Sequence, residues 1–283
     1  PGALQPLEPD DARLADPRSR WRGAAAVVAR PGSTAEVSEI LRRCSAEGVA
    51  VVPYGGGTGL VGGQVRPAPG EGGDEGGPGG VPGLLLSMER MTAVREVAAG
   101  DDAMILEAGV TLAEAQATAE AAGRLFPLSI ASEGSARIGG VLSTNAGGIG
   151  VLRYGMARDL VLGIEAVLPD GSVHDGLKLV RKNNTGYDLR HLMIGAEGTL
   201  GVITAAALRL FPRPAEVATA FCAAPSPGAA LELLHLLRAR LGETVQAFEL
   251  IARLGVEFVE AHVPGVRTPL SPTPEWSVLC EAG

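Results

Sequence analysis

The chain has 283 residues, a formal net charge of −8, 46% hydrophobic residues and 20% charged residues. That length and composition allow one large domain or two smaller ones with hydrophobic cores, and they exclude a disulfide-stapled mini-protein or a disordered tail. With an acidic balance and only 4% aromatic residues, neither the basic patch nor the stacking platform of a nucleic-acid binder is expected.

Cys44, Cys222 and Cys280 are odd in number and far apart. They fit neither a disulfide framework nor a paired zinc motif, so a reducing compartment is expected. No apolar run reaches the ~20 residues that cross a bilayer. The chain starts at Pro1 with no signal-peptide pattern, which is compatible with a processed leader or a trimmed chain.

In chain order, Ala25 to Ala29 reads as a buried strand. Ser33-Thr34-Ala35-Glu36 reads as a capping box. Val37, Ile40, Leu41 and Cys44 then share one helix face, and Gly48 is a stop signal. Val49 to Val52 is a strand that runs into the glycine loop Pro53 to Gly63. The acidic, glycine-rich stretch 67–83 reads as a floppy insertion.

Leu84 to Ser87, Val94 to Val97 and Ala103 to Ala108 read as strands, the last two joined by a turn at Gly100-Asp101-Asp102. Thr111-Leu112-Ala113-Glu114 opens a second capped helix that ends near Gly123. Val161 to Leu168 turns back through Pro169-Asp170-Gly171, and Val202 to Leu210 is a long strand with an alternating pattern. Phe211-Pro212-Arg213-Pro214 marks a domain boundary. A strand, helix, strand, helix unit follows, and the chain ends in a strand pattern from Trp276. The second domain is therefore read as incomplete.

Gly57-Thr58-Gly59-Leu60-Val61-Gly62 matches the dinucleotide fingerprint after a strand. The fingerprint needs a helix next, and Pro67, Pro69 and Gly70 forbid one. The acidic candidates Glu71, Asp74 and Glu75 lie in the floppy stretch instead of ending a strand, and no Lys-Ser/Thr pair makes a P-loop. What remains is a run of backbone N–H groups free of side chains, an anion nest able to hold a pyrophosphate, with a plain connector as the weaker reading.

Pro53-Tyr54-Gly55-Gly56-Gly57-Thr58-Gly59-Leu60 resembles the pyrophosphate loop of the vanillyl-alcohol oxidase and p-cresol methylhydroxylase flavoprotein family. Ser132 to Gly148 (S-E-G-S-A-R-I-G-G-V-L-S-T-N-A-G-G) with Arg153-Tyr154-Gly155 is similar to its second flavin segment. Arg181 to Leu189 (R-K-N-N-T-G-Y-D-L) and Ile194 to Thr204 (I-G-A-E-G-T-L-G-V-I-T) are similar to the third. Together these motifs resemble the D-2-hydroxyacid dehydrogenase branch, of the D-2-hydroxyglutarate, D-lactate and glycolate oxidase FAD-subunit type. The resemblance is strong over about Trp21 to Phe211.

The resemblance implies an α+β fold: a two-subdomain FAD-binding fold of the p-cresol methylhydroxylase type, followed by a partial α+β cap. The FAD-binding domain is expected over 1–213, with subdomains of about 22–90 and 91–213, and the cap over 214–283. Expected cofactor contacts are Pro53, Tyr54, Gly55, Gly56, Gly57, Thr58, Gly59 and Leu60. In the second segment they are Ser132, Glu133, Gly134, Ser135, Gly139, Thr144, Asn145, Gly147, Gly148 and Tyr154. Glu197, Gly198, Gly201 and Ile203 complete the set. FAD is expected to be non-covalent, because the loop lacks the histidine of the family's covalent members.

The implied reaction oxidises a D-2-hydroxy acid to the 2-oxo acid by hydride transfer to the flavin. The partners would be a small 2-hydroxy acid and an electron-accepting protein or quinone, with a homodimer left open. The location would be cytoplasmic, or the mitochondrial matrix in a eukaryote. A module without turnover of its own, or a related alditol oxidase-like or cell-wall precursor reductase-like flavoenzyme, are the alternatives. No catalytic residue is assigned. His174, His191, His235 and His262 lack metal-ligand spacing, so no metal is assigned here. A divalent metal such as zinc would belong to family motifs expected beyond Gly283. Arg153, Arg181 and Lys182 are read equally as facing the flavin or substrate carboxylate and as plain surface charge, and Glu249, in a segment like the family's cap, is weighed against a packed strand residue.

Overall fold

The computed structural model describes residues 4–66 and 83–283. The glycine-rich insertion expected over 67–83 lies outside the described residues except for Gly83.

The chain runs β1 (Leu4–Pro6), β2 (Ala25–Ala29), α1 (Thr34–Ala46), β3 (Val51–Tyr54), β4 (Gly83–Ser87), β5 (Val94–Ala98), β6 (Ala103–Glu107), α2 (Leu112–Ala121) and β7 (Arg124–Leu125). It continues through α3 (Ile138–Ser143), α4 (Val151–Tyr154), β8 (Val161–Val167), β9 (Val173–Asp175), α5 (Arg190–Met193), β10 (Val202–Arg209) and β11 (Phe211–Pro212). The last elements are β12 (Ala218–Ala224), α6 (Pro227–Leu241), β13 (Val245–Ala252), α7 (Arg253–His262) and β14 (Trp276–Ala282). Helices and strands of this kind make the fold α+β.

The first compact unit comprises Pro1–Pro127, Ala131–Ala146 and Ala157–Pro212. It holds a four-stranded sheet in the order β1-β2-β4-β3, in which β2, β4 and β3 are parallel and β1 is antiparallel to β2. A second, antiparallel sheet has the order β5-β6-β10-β8-β9. α1 forms because Ser33 accepts from the Glu36 N–H at 3.2 Å, while the Glu36 carboxylate takes the Gly32 N–H at 2.7 Å. Its face of Val37, Leu41 and Cys44 is buried, and the first two join Leu86, Met88 and Val202 in one core cluster.

β10 runs through the middle of the second sheet, and Val202 to Leu208 are all buried. The alternating pattern therefore does not mark a wet face. Small alanines at 205, 206 and 207 let both faces be covered.

α2 carries the complete capping box. The Thr111 hydroxyl accepts from the Glu114 N–H at 3.2 Å, and the Glu114 carboxylate takes the Thr111 N–H at 2.8 Å. Those hydrogen bonds also hold the Glu114 carboxyl below its ordinary range. Thr111→Ala is expected to lower unfolding stability by about 1 kcal/mol in urea melts.

The second unit comprises Leu128–Ile130, Gly147–Met156 and Arg213–Gly283. Its antiparallel sheet has the order β12-β14-β13. Ala224, Ala230 and Val278 form a small core, with Leu233, Phe248 and Trp276 packed around it. α6 starts with Pro227 in its first turn and a Ser226 cap that accepts from the Ala229 N–H at 3.1 Å. Among the described residues, no helix is long and apolar enough to cross a membrane.

Candidate cofactor site

β3 delivers the chain to the glycine loop, and the loop lies against the turn before α3. A Cβ on Gly56 would sit 1.9 Å from the Ser135 carbonyl oxygen and 3.1 Å from Ala136 Cα. A Cβ on Gly55 would sit 3.4 Å from Gly140 Cα. Gly57 has φ +69°, and a Cβ there would meet the Tyr54 hydroxyl at 2.1 Å. The phenol is thus tucked under the loop. Burial pushes its pKa up, against the pull of the Arg13 guanidinium, so it stays a neutral donor.

This packing leaves the amides of the loop unused. Among the described residues, the N–H groups of Gly55, Gly56, Gly57, Thr58, Gly59 and Leu60 donate no hydrogen bond. Residues 55–59 are half-buried. Consecutive amide donors at the end of a strand, without side chains in the way, form a concavity suited to an anion. Gln64 braces the far side by donating its amide to the Gly59 carbonyl at 2.7 Å.

The second and third segments meet at the C-terminal end of α3. The Gly195 N–H donates to the Leu142 carbonyl at 3.0 Å, and the Glu197 N–H donates to the Ser143 carbonyl at 2.8 Å. Glu197 and Asn145 are both left-handed, at φ +52° and φ +48°. Gly198, at φ +78°, would bring a Cβ to 2.8 Å from Pro53 Cγ, and a Cβ on Gly63 would lie 3.0 Å from the Glu197 carboxylate. So Pro53, Gly55, Gly56, Ser135, Glu197 and Gly198 converge within the first unit.

The other expected contacts have different surroundings. A Cβ on Gly139 would press on Ala108, and one on Gly201 would lie 2.6 Å from the Val167 carbonyl. Ile203 is buried in β10 opposite Ala166. The Thr144 hydroxyl donates to the Gly140 carbonyl at 2.9 Å. Glu133 accepts from the Gln116 amide, and its carbonyl caps α2 through the Ala113 N–H. The Ser132 carbonyl accepts from the Ser135 and Ala136 N–H groups. A Cβ on Gly134 would meet nothing within 4 Å. Gly147, Gly148 and Tyr154 belong to the second unit, where a Cβ on Gly148 would meet the Ser129 carbonyl and the Arg153 guanidinium lies over the Tyr154 ring.

Of the groups weighed as surface charge, Arg153 donates to the Gly283 carbonyl and Arg181 pairs with Asp102 at 3.2 Å. Glu249 lies on β13 opposite Leu279. Among the described residues, no three His, Cys, Asp or Glu side chains are grouped to hold a metal ion.

Sequence reasoning missed Arg158. Its N–H donates to Asn145 Oδ1 at 3.0 Å, and its guanidinium donates to the His191 and Ile194 carbonyls at 2.5 Å each. It ties the second segment to the third. Arg158→Met removes two charge-assisted hydrogen bonds, and FAD titration is expected to show affinity about tenfold weaker.

The family model for the FAD binding domain matches residues 25–176. The chain belongs to the FAD-binding domain family. This FAD-binding domain is 38% identical over 278 residues to the mitochondrial D-2-hydroxyglutarate dehydrogenase of Bos taurus, covering 97% of this chain and 48% of that one. It is 37% identical to the D-2-hydroxyglutarate dehydrogenase of Xanthomonas citri, covering 93% of this chain and 52% of that one. It is 36% identical to a putative mitochondrial D-lactate dehydrogenase of Schizosaccharomyces pombe, covering 96% and 49%. The chain thus spans about half the length of the curated relatives it matches. A solved alkyldihydroxyacetonephosphate synthase shares its fold with a TM-score of 0.77 at 20% identity, over 100% of this chain and 53% of that one.

The residues present fit FAD. The pyrophosphate needs several donors close to the backbone, and the unpaired amides from Gly55 to Leu60 offer them. The dense packing of Gly56 on Ser135 and of Gly198 on Pro53 fixes that arc of donors.

Proposed function

We propose that the protein is a FAD-dependent oxidoreductase that oxidises a D-2-hydroxy acid to the 2-oxo acid. The run of free amides at Gly55 to Leu60, half-buried from Gly55 to Gly59, in a chain of the FAD-binding domain family, carries this reading. The names of its relatives, D-2-hydroxyglutarate dehydrogenase and D-lactate dehydrogenase, support the substrate class. A bound flavin supplies a two-electron acceptor for a hydride. The chain's part would be to hold it: amides 55–60 would bind the pyrophosphate, and the 132–146 and 194–203 segments would orient the ring system without a covalent bond. The acceptor for a bound flavin's electrons would be a protein or quinone. The expected location is the cytoplasm, or the mitochondrial matrix in a eukaryote.

Anaerobic mixing tests the reading. D-2-hydroxyglutarate or D-lactate is expected to bleach the bound flavin, and the L-enantiomers are not. Equal bleaching by both enantiomers would contradict it. Because the chain spans about half of its relatives, we keep a second reading, a flavin-holding module without turnover. It predicts bound flavin that D-acids leave oxidised until the remaining portion of a relative is added.

A further inference from the structure

Away from the glycine loop, the segment after β9 folds back over β8 and borders an open pocket of about 450 Å3 within the first unit. It contains the R-K-N-N-T-G-Y-D-L run of the third flavin-like segment, although none of the named flavin-contact residues lines it. Its floor is closely fitted. A Cβ on Gly163 would lie 2.2 Å from the Gly176 carbonyl and 2.8 Å from the Lys178 N–H nitrogen, so only glycine lets the segment lie on β8 here. Its ends are pinned. Arg190 donates to the Val161 and Leu162 carbonyls, at 3.0 and 2.6 Å, and pairs with Asp188 at 2.9 Å. Arg181 reaches Asp102.

The charges on this wall are not balanced. Of the chain's 24 basic residues, only Lys178 and Lys182 are lysines, and both line the cavity. Among the described residues, neither ammonium makes a hydrogen bond or an ion pair. The two carboxylates of the wall are engaged elsewhere. Asp188 holds Arg190, and Asp175 accepts from the Leu177 N–H at 3.3 Å. Asn183, Asn184 and Thr185 add neutral hydrogen-bonding groups. A chain of net charge −8 repels small anions, so two free cations on a pinned cavity wall create a local exception. Lysine is a compact point charge on a flexible stem, suited to anionic groups of varied geometry where a rigid guanidinium fork is not.

We propose that this cavity binds a small polyanion through Lys178 and Lys182, at a site separate from the glycine loop. The anionic groups are carboxylates or phosphates, and the test distinguishes them. The inference does not depend on the proposed oxidation.

Calorimetric titration of the flavin-loaded chain with citrate, and separately with inorganic phosphate, at low ionic strength provides the test. With flavin bound, the amides of the glycine loop are occupied, and flavin absorbance reports on that site independently. At least one anion is expected to bind. K178Q/K182Q is expected to weaken it by about tenfold or more, while the α6 control R238Q/R240Q stays within about threefold. Tighter citrate assigns carboxylates, and tighter phosphate assigns phosphoryl groups. Binding of neither anion overturns the proposal. So does binding unchanged in K178Q/K182Q, or weakened equally in the α6 control. Both lysines are exposed, so thermal unfolding and flavin content are expected to be unchanged in the double variant.

Discussion

Gly56→Ala is expected to weaken FAD binding by about a hundredfold, which corresponds to about 2.7 kcal/mol. The added methyl would sit 1.9 Å from the Ser135 carbonyl oxygen and 2.7 Å from its carbon. Real Cβ contacts stay beyond about 3 Å, so one of two backbones must retreat by more than 1 Å. No flexible side chain can absorb the clash. The glycine loop and the turn before α3 are the two parties, so the arc of amides from Gly55 to Leu60 loses its shape whichever one moves. Gly134→Ala is the control. It lies in the second flavin-like segment, yet a Cβ there meets nothing within 4 Å and its φ is not positive. FAD titration of both variants separates a general loss of glycine from a loss of this contact. Unchanged affinity in Gly56→Ala would contradict the placement of the pyrophosphate.

Glu165→Gln is expected to destabilise the first unit by about 1–3 kcal/mol near neutral pH. The Glu165 carboxylate on β8 accepts from the Thr34 hydroxyl of α1 at 2.6 Å and from the Thr204 hydroxyl of β10 at 2.8 Å. It also takes the Arg95 guanidinium of β5 at 3.2 Å, and Arg95 reaches Glu107 of β6 at 3.1 Å. One carboxylate thus ties the helix of the first sheet to three strands of the second. Burial pushes the Glu165 pKa up, but the hydrogen bonds from Thr34, Arg95 and Thr204 outweigh it, so the carboxyl ends below its ordinary value of 4.5. The group therefore adds stability in full above the unfolded pKa. That contribution is lost as pH falls through the lower folded pKa. Urea melts at pH 7 and at pH 3 should show the gap between wild type and Glu165→Gln shrinking on acidification. A gap that stays constant or widens would contradict the network.

Local chemistry was the legible part. The Thr111 to Glu114 box needs only four residues to satisfy each other, and it forms as read. The Val37, Leu41 and Cys44 face follows from helix period alone. Features that depend on a partner far along the chain were not legible. β1 pairs with β2 across the first sheet, and β7 finds β11, 86 residues later, as a two-residue ladder. Arg158 has no periodic or motif signal, because its partners are carbonyls at 191 and 194. Glycines illustrate the limit best. Gly56 and Gly134 look alike as letters, and only packing shows that one is required and the other is free.

The measurement that bears most directly on the central claim is the visible absorbance spectrum of the purified chain, before and after acid precipitation. A flavin spectrum that moves into the supernatant is the predicted result, establishing a flavin bound without a covalent bond. A chain that circular dichroism shows to be folded, yet that takes up no flavin even after FAD is added, would contradict the assignment of Gly55 to Leu60.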